Sequence, residues 1–95
     1  MEAIYKYQIE INSIITITMP KGAKILTVQS QLIPHDLLNQ DQVCIWAIVD
    51  TDTDKKEIRM FTCYRTGRKH EKIKGTYIGT FQLNNGEFVG HLFEV

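Results

Sequence analysis

Residues suited to chemistry are concentrated in one stretch of this 95-residue chain, Tyr64-Arg65-Thr66-Gly67-Arg68-Lys69-His70, followed by Lys72, Lys74 and Tyr77. Arginine and lysine offer charge-assisted donors to a phosphate, glycine lets backbone N–H groups approach, and flanking rings stack on a base. Five cations between positions 65 and 74 face Glu71 alone, so the local field is positive. The candidate ligand-binding residues are Tyr64, Arg65, Thr66, Gly67, Arg68, Lys69, His70 and Tyr77, and the expected ligand is an anionic small molecule. The same run also reads as an ordinary solvated loop, because charged loops are common and this spacing is not diagnostic.

Other candidate chemistries fail on spacing. Asp50, Asp52 and Asp54 mimic the opening of a calcium loop, but Lys55 stands where glycine is needed and Phe61 where a bidentate glutamate belongs. His35, His70 and His91 are scattered and lack Cys or carboxylate partners at ligand spacing, so no metal is expected. Cys44 and Cys63 fall in apolar segments, which suits buried, unreactive thiols; a cross-strand disulfide needs them opposite each other in an oxidising compartment. No hydroxyl or thiol is set beside a base and its orienting third group, and no phosphate loop or dinucleotide fingerprint appears. The expectation is a protein without catalytic residues or cofactors.

Eleven basic residues balance eleven acidic ones, so no net field steers the molecule toward nucleic acid or an anionic membrane. The N-terminus lacks the features of a signal peptide, and no apolar run approaches the roughly 20 residues that span a bilayer. A cytoplasmic location is the simplest expectation.

The elements that position these residues read as strands. Alternation runs through Tyr5, Tyr7, Ile9 and Ile11, resumes with Ile15, Ile17 and Met19, and stops at Pro20-Lys21-Gly22, predicting two antiparallel strands. Lys24 to Gln31 also alternates, with either Leu26 and Val28 or Ile25, Thr27 and Gln29 facing inward. Residues 32–42 break the pattern as a loop or short helical turn. Val43 to Val49 is apolar throughout, as in a central strand covered on both faces. A polar loop from Asp50 to Lys56 then predicts a hairpin with Ile58 to Arg65, placing Cys44 opposite Cys63 and Trp46 opposite Phe61.

Asn85-Gly86 between apolar runs supplies the two positive-φ residues of a type I′ turn. That hairpin pairs Leu83 with Phe88, Phe81 with Gly90, Thr80 with His91, and Gly79 with Leu92. Each glycine thereby meets a bulky partner that covers the gap, or marks a close approach by another backbone.

Several blocks taken together, Ile4-Tyr5-Lys6-Tyr7, Met19-Pro20-Lys21-Gly22-Ala23, Trp46-Ala47-Ile48-Val49-Asp50, Thr66-Gly67, and Tyr77-Ile78-Gly79-Thr80-Phe81-Gln82 to His91-Leu92-Phe93-Glu94, resemble a family of small proteins of unknown function frequent in bacteriophage and prophage genomes. The likeness covers nearly the whole chain, departs from the family pattern at 32–42, and brings no active site. It implies a phage setting, where compact proteins bind a host component or sequester a small molecule.

The expected fold is therefore a single all-β domain over residues 1–95, with about seven mostly antiparallel strands in a small curled barrel or a two-layer sandwich. Its expected function is non-enzymatic binding of a nucleotide-like or other anionic ligand that counters host defence. The alternative is an interaction module acting through sheet edges on a host protein or on a second copy as a homo-oligomer.

Overall fold

Alternating β-branched and aromatic residues give strands throughout the computed structural model, which describes residues 1–32 and 41–95. In chain order these are β1 (Glu2–Ile9), β2 (Ile15–Pro20), β3 (Lys24–Leu32), β4 (Asp41–Asp50), β5 (Lys56–Arg65), β6 (Thr76–Leu83) and β7 (Phe88–Glu94). They form two antiparallel sheets, ordered β1-β4-β3 and β2-β5-β7-β6, that do not close into a barrel. The loop or helical turn expected at 32–42 centres on residues 33–40, outside the described residues. No helix among the described residues is long and apolar enough to cross a membrane.

The apolar run of β4 makes it the centre of its sheet, with Val43, Ile45, Ala47 and Val49 buried on one face and Cys44 buried on the other. Those four inward residues join Ile9 and Val28 of the same sheet, and Ile15, Met19, Phe61, Phe81 and Leu92 of the other, in one core. The undecided face of β3 has a structural cause. A bulge between Ile25 and Thr27 steps over Leu26 and reverses the phase, so Ile25 and Val28 both turn to the core while Leu26 stays exposed.

Two expected hairpins do not form. β4 and β5 lie in different sheets, so Cys44 pairs with Gln8 and Gln29 whereas Cys63 pairs with Leu92, and both cysteines are free thiols. Trp46 pairs with Lys6 and Thr27, and Phe61 with Ile15 and Glu94. Likewise β1 pairs with β4 and β2 with β5 instead of with each other. In each case the connection carries the chain from one sheet to the other, and the apolar faces meet across the core instead of side by side.

The β6–β7 hairpin forms in the expected register, with Leu83 against Phe88, Phe81 against Gly90, Thr80 against His91 and Gly79 against Leu92. Asn85 and Gly86 both have positive φ, and the Glu87 N–H donates to the Asn84 carbonyl at 3.2 Å, as the type I′ turn requires. Asn84 also takes a positive φ, beyond the two residues such a turn needs. Gly79 serves the close approach: a Cβ there stands 3.0 Å from Val28 Cγ1, so β6 can lie beside β3 at the junction of the sheets.

Gly90 is the tighter constraint. A Cβ at this position meets Phe81 Cζ at 2.6 Å and both Cys63 Sγ and Phe88 Cε1 at 2.9 Å, because these three side chains already fill the gap. Gly90→Ala overpacks this layer and lowers the unfolding free energy by about 1–3 kcal/mol. For a domain of this size that is a fall in melting temperature of roughly 4–8 °C per kcal/mol, measurable by calorimetry.

Candidate functional site

β5 delivers the first two residues of the basic run. Tyr64 pairs with His91 of β7, and Arg65, the last strand residue, pairs with Gly90. The chain then turns sharply. Arg68 N–H donates to the Arg65 carbonyl at 3.2 Å, with Gly67 at φ +86° in the third position, where a type II turn needs a residue free to adopt positive φ. Thr66 N–H donates to the Val89 carbonyl at 3.0 Å, tying the turn to β7.

Tyr64 organises the connection between β5 and β6. Its ring meets His70 edge-on at 4.8 Å between centroids and Phe93 edge-on at 5.4 Å, and Phe93 meets Tyr77 at 5.5 Å. Such tilted contacts are the favoured arrangement of aromatic pairs. The Tyr64 hydroxyl also accepts the Lys74 N–H at 3.2 Å, so one side chain grips both arms of the 66–75 connection.

A hollow of about 330 Å³ opens beside this aromatic row. Tyr64, Tyr77, Phe93 and Ile73 give it apolar walls, and Arg65, Thr66, Gly67, Arg68 and His91 supply its polar side. Six of the eight residues singled out from the sequence therefore converge on it: Tyr64, Arg65, Thr66, Gly67, Arg68 and Tyr77. Lys69 is exposed and not part of its wall, and His70 lines a neighbouring hollow of about 360 Å³ on the other side of Tyr64. The Arg65 guanidinium sits 5.0 Å from the centre of the Phe88 ring, a cation–π contact with a residue that lines the neighbouring hollow and not the first.

Ile73, His91 and Phe93 are the wall residues the sequence did not single out. His91 was in view through its pairing with Thr80, but its place beside Tyr64 depends on β5 pairing with β7, which no local turn signals. Both ring nitrogens are engaged: Nε2 lies 2.7 Å from Thr66 Oγ1 and Nδ1 lies 2.9 Å from Thr80 Oγ1, whose hydroxyl is 2.7 Å from the Tyr77 hydroxyl. A neutral imidazole donates through one nitrogen and accepts through the other, and the hydroxyls rotate to match. The group orienting His91 is thus an alcohol where a hydrolytic triad has a carboxylate.

Elsewhere the sequence candidates serve structure. Burial pushes the Cys63 thiol up from its ordinary value, so it stays protonated at neutral pH. Asp50 and Asp52 hold the Met1 amino group, and the Asp52 N–H donates to Asp50 Oδ1 at 2.9 Å. Among the described residues, no three His, Cys, Asp or Glu side chains gather as a metal site.

Among the described residues these features define a class: seven strands in two antiparallel sheets, with an aromatic-walled hollow that Arg65 and Arg68 help to line. The chain belongs to the family described as a domain of unknown function, DUF7352, whose match spans residues 1–95. No curated protein and no solved structure matches it.

Because Tyr64 grips both arms of the connection, Tyr64→Ala accelerates tryptic cleavage after Arg68, Lys69, Lys72 or Lys74 by tenfold or more, read by mass spectrometry under native conditions. Tyr64→Phe keeps the ring contacts, loses only the hydroxyl acceptor, and gives a much smaller increase.

Proposed function

We propose that this domain is a non-enzymatic binding module for a small nucleotide-like anion, held by Arg65 and Arg68 with its base or other flat group against Tyr64, Tyr77 and Phe93. The observation that carries the reading is the convergence of two arginines and three aromatic rings on one hollow of about 330 Å³, within the range of small-ligand sites. Guanidinium groups take phosphate oxygens in a bidentate fork, and the turn around Gly67 brings backbone close to the same point. Both ring nitrogens of His91 are already engaged by the Thr66 and Thr80 hydroxyls. The resemblance to small phage and prophage proteins extends the reading: the ligand is a host signal nucleotide, sequestered in the cytoplasm to blunt a defence response.

Calorimetry against a panel of cyclic and linear nucleotides tests this directly, with silence across the panel counting against it. Arg65→Ala or Arg68→Ala weakens binding at least tenfold, the scale of one lost hydrogen bond to a charged group. Lys69→Ala, outside the hollow, changes it little. Affinity falls with added salt, and the slope flattens in the arginine variants.

A second reading, self-association, rests on the edge of β2, which pairs with β5 alone among the described strands. β3 and β6 lie beside one another, leaving β1 and β2 as the outer strands. β1 carries Glu2 and Lys6, whereas β2 reads Ile-Thr-Ile-Thr-Met-Pro with no charge to discourage pairing. Next to it on β5, Ile58 is 73% exposed opposite Thr18, and Met60 is exposed opposite Thr16. A two-fold axis through Ile17 sets Thr16 against Thr18 of the second copy and keeps Ile15 and Met19 on the core side. Sedimentation should show a dimer that the exposed double change Thr16→Lys with Thr18→Lys dissociates. Mixing that variant with the matching glutamate pair restores it, whereas a wild-type monomer at tens of micromolar overturns this reading.

A further inference from the structure

The second hollow, of about 360 Å³, is not used by the site as proposed, and it shares Tyr64, Arg65 and Arg68 with the first. The two arginines therefore stand between two cavities of nearly equal size, not at the end of one. The second cavity is walled by Phe88, Cys63 and Ile11 and edged by His70, Asn12 and Ser13. A protonated Cys63 thiol and the Phe88 ring make its floor apolar, while the Asn12 amide offers both donor and acceptor to the edge of a base.

We infer that the ligand is a dinucleotide: two bases, one in each hollow, joined by phosphate groups that lie on Arg65 and Arg68. This rests on the anion-binding reading above and specifies its ligand class. A mononucleotide carries its phosphate at one end, so it places charge on the arginines and fills one cavity. A ligand with its anionic groups in the middle and a flat group on either side matches the order hollow, cation pair, hollow. The packing within the site agrees with that order. Tyr64 is the wall common to both sides, with its ring touching His70 toward the second cavity and Phe93 toward the first. Arg65 lies over Phe88 of the second cavity while also lining the first. Burying the second base against the apolar floor of the second cavity tightens binding by roughly tenfold or more.

The test compares adenosine and guanosine monophosphates with linear and cyclic dinucleotides of the same bases, by calorimetry on the wild-type chain and on two blocking variants. Asn12→Trp fills the second hollow from an exposed loop position, and Ile73→Trp fills the first. Ser13→Trp replaces the former if its melting curve shows loss of fold. The expected result is a dinucleotide bound at least tenfold more tightly than a mononucleotide. Asn12→Trp should reduce that affinity to the mononucleotide level, whereas Ile73→Trp should weaken binding of both ligands. Equal affinity for one and two nucleotides, or a dinucleotide indifferent to Asn12→Trp, overturns this inference and leaves the simple anion site standing. No binding of either class overturns both.

Discussion

The absence of a side chain at Gly90 is the constraint on which the core-side packing at one end of the larger sheet depends. β7 is paired on both sides, by β5 and by β6, so its residues set the level of that sheet. At position 90 the space is taken by the Phe81 ring, the Cys63 thiol and the Phe88 ring, with Phe81 and Phe88 stacked at 6.2 Å. Phe88 in turn carries the Arg65 guanidinium, and Cys63 floors the second hollow. A methyl group at position 90 displaces all three neighbours. The positions of the arginine and of one cavity wall thus depend on this gap in the packing.

The strands were legible in the sequence because alternation is local, and the β6–β7 register was legible because Asn85-Gly86 dictates its own turn. Pairing between distant strands was not. The connection Asp50 to Lys56 has the composition of a hairpin loop, and the same polar residues serve equally to carry the chain between sheets. Only the side-by-side arrangement of β4 with β1 and β5 with β2, across some forty residues of sequence, decides between them. Strand period reveals which residues share a face, but it carries no information on which neighbour completes the sheet. The bulge at Leu26 defeats even the period, since it places Ile25 and Val28 on one face.

The same distinction divides the site. Arg65 to Arg68 are contiguous, so their convergence follows from a single turn around Gly67. Tyr77 was visible as a nearby aromatic ring. Phe93 and His91 are separated from Tyr64 by more than twenty-five positions, and they join it only because β5 lies against β7. Ile73, in the middle of a basic connection, gave no signal at all: an isolated apolar residue among lysines becomes a wall only when the loop folds back over the sheet.

A chain with no net charge is locally positive where its charges are unevenly placed, and four of its carboxylates are held in ion pairs outside the basic connection. Glu94 follows Phe93 on β7, so successive strand residues turn to opposite faces and its carboxylate points away from the aromatic row. There it forms a bidentate pair with Arg59, with Nη2 2.9 Å from Oε1. Arg59 also donates to the Ala23 carbonyl at 2.6 Å and contacts Glu57, whose Oε1 accepts the Gly22 N–H at 3.1 Å. This half-buried cluster links β5 and β7 to the β2–β3 turn, and the Glu94 hydrogen bond raises the Arg59 pKa above its ordinary value. Asp50 and Asp52 are occupied with the Met1 amine. Exposed charges are screened within about 8–10 Å at physiological salt, so these internally paired carboxylates add little field at the loop. Glu71 remains as the one acid within the basic connection, and the excess of cations from Arg65 to Lys74 is what an approaching anion meets.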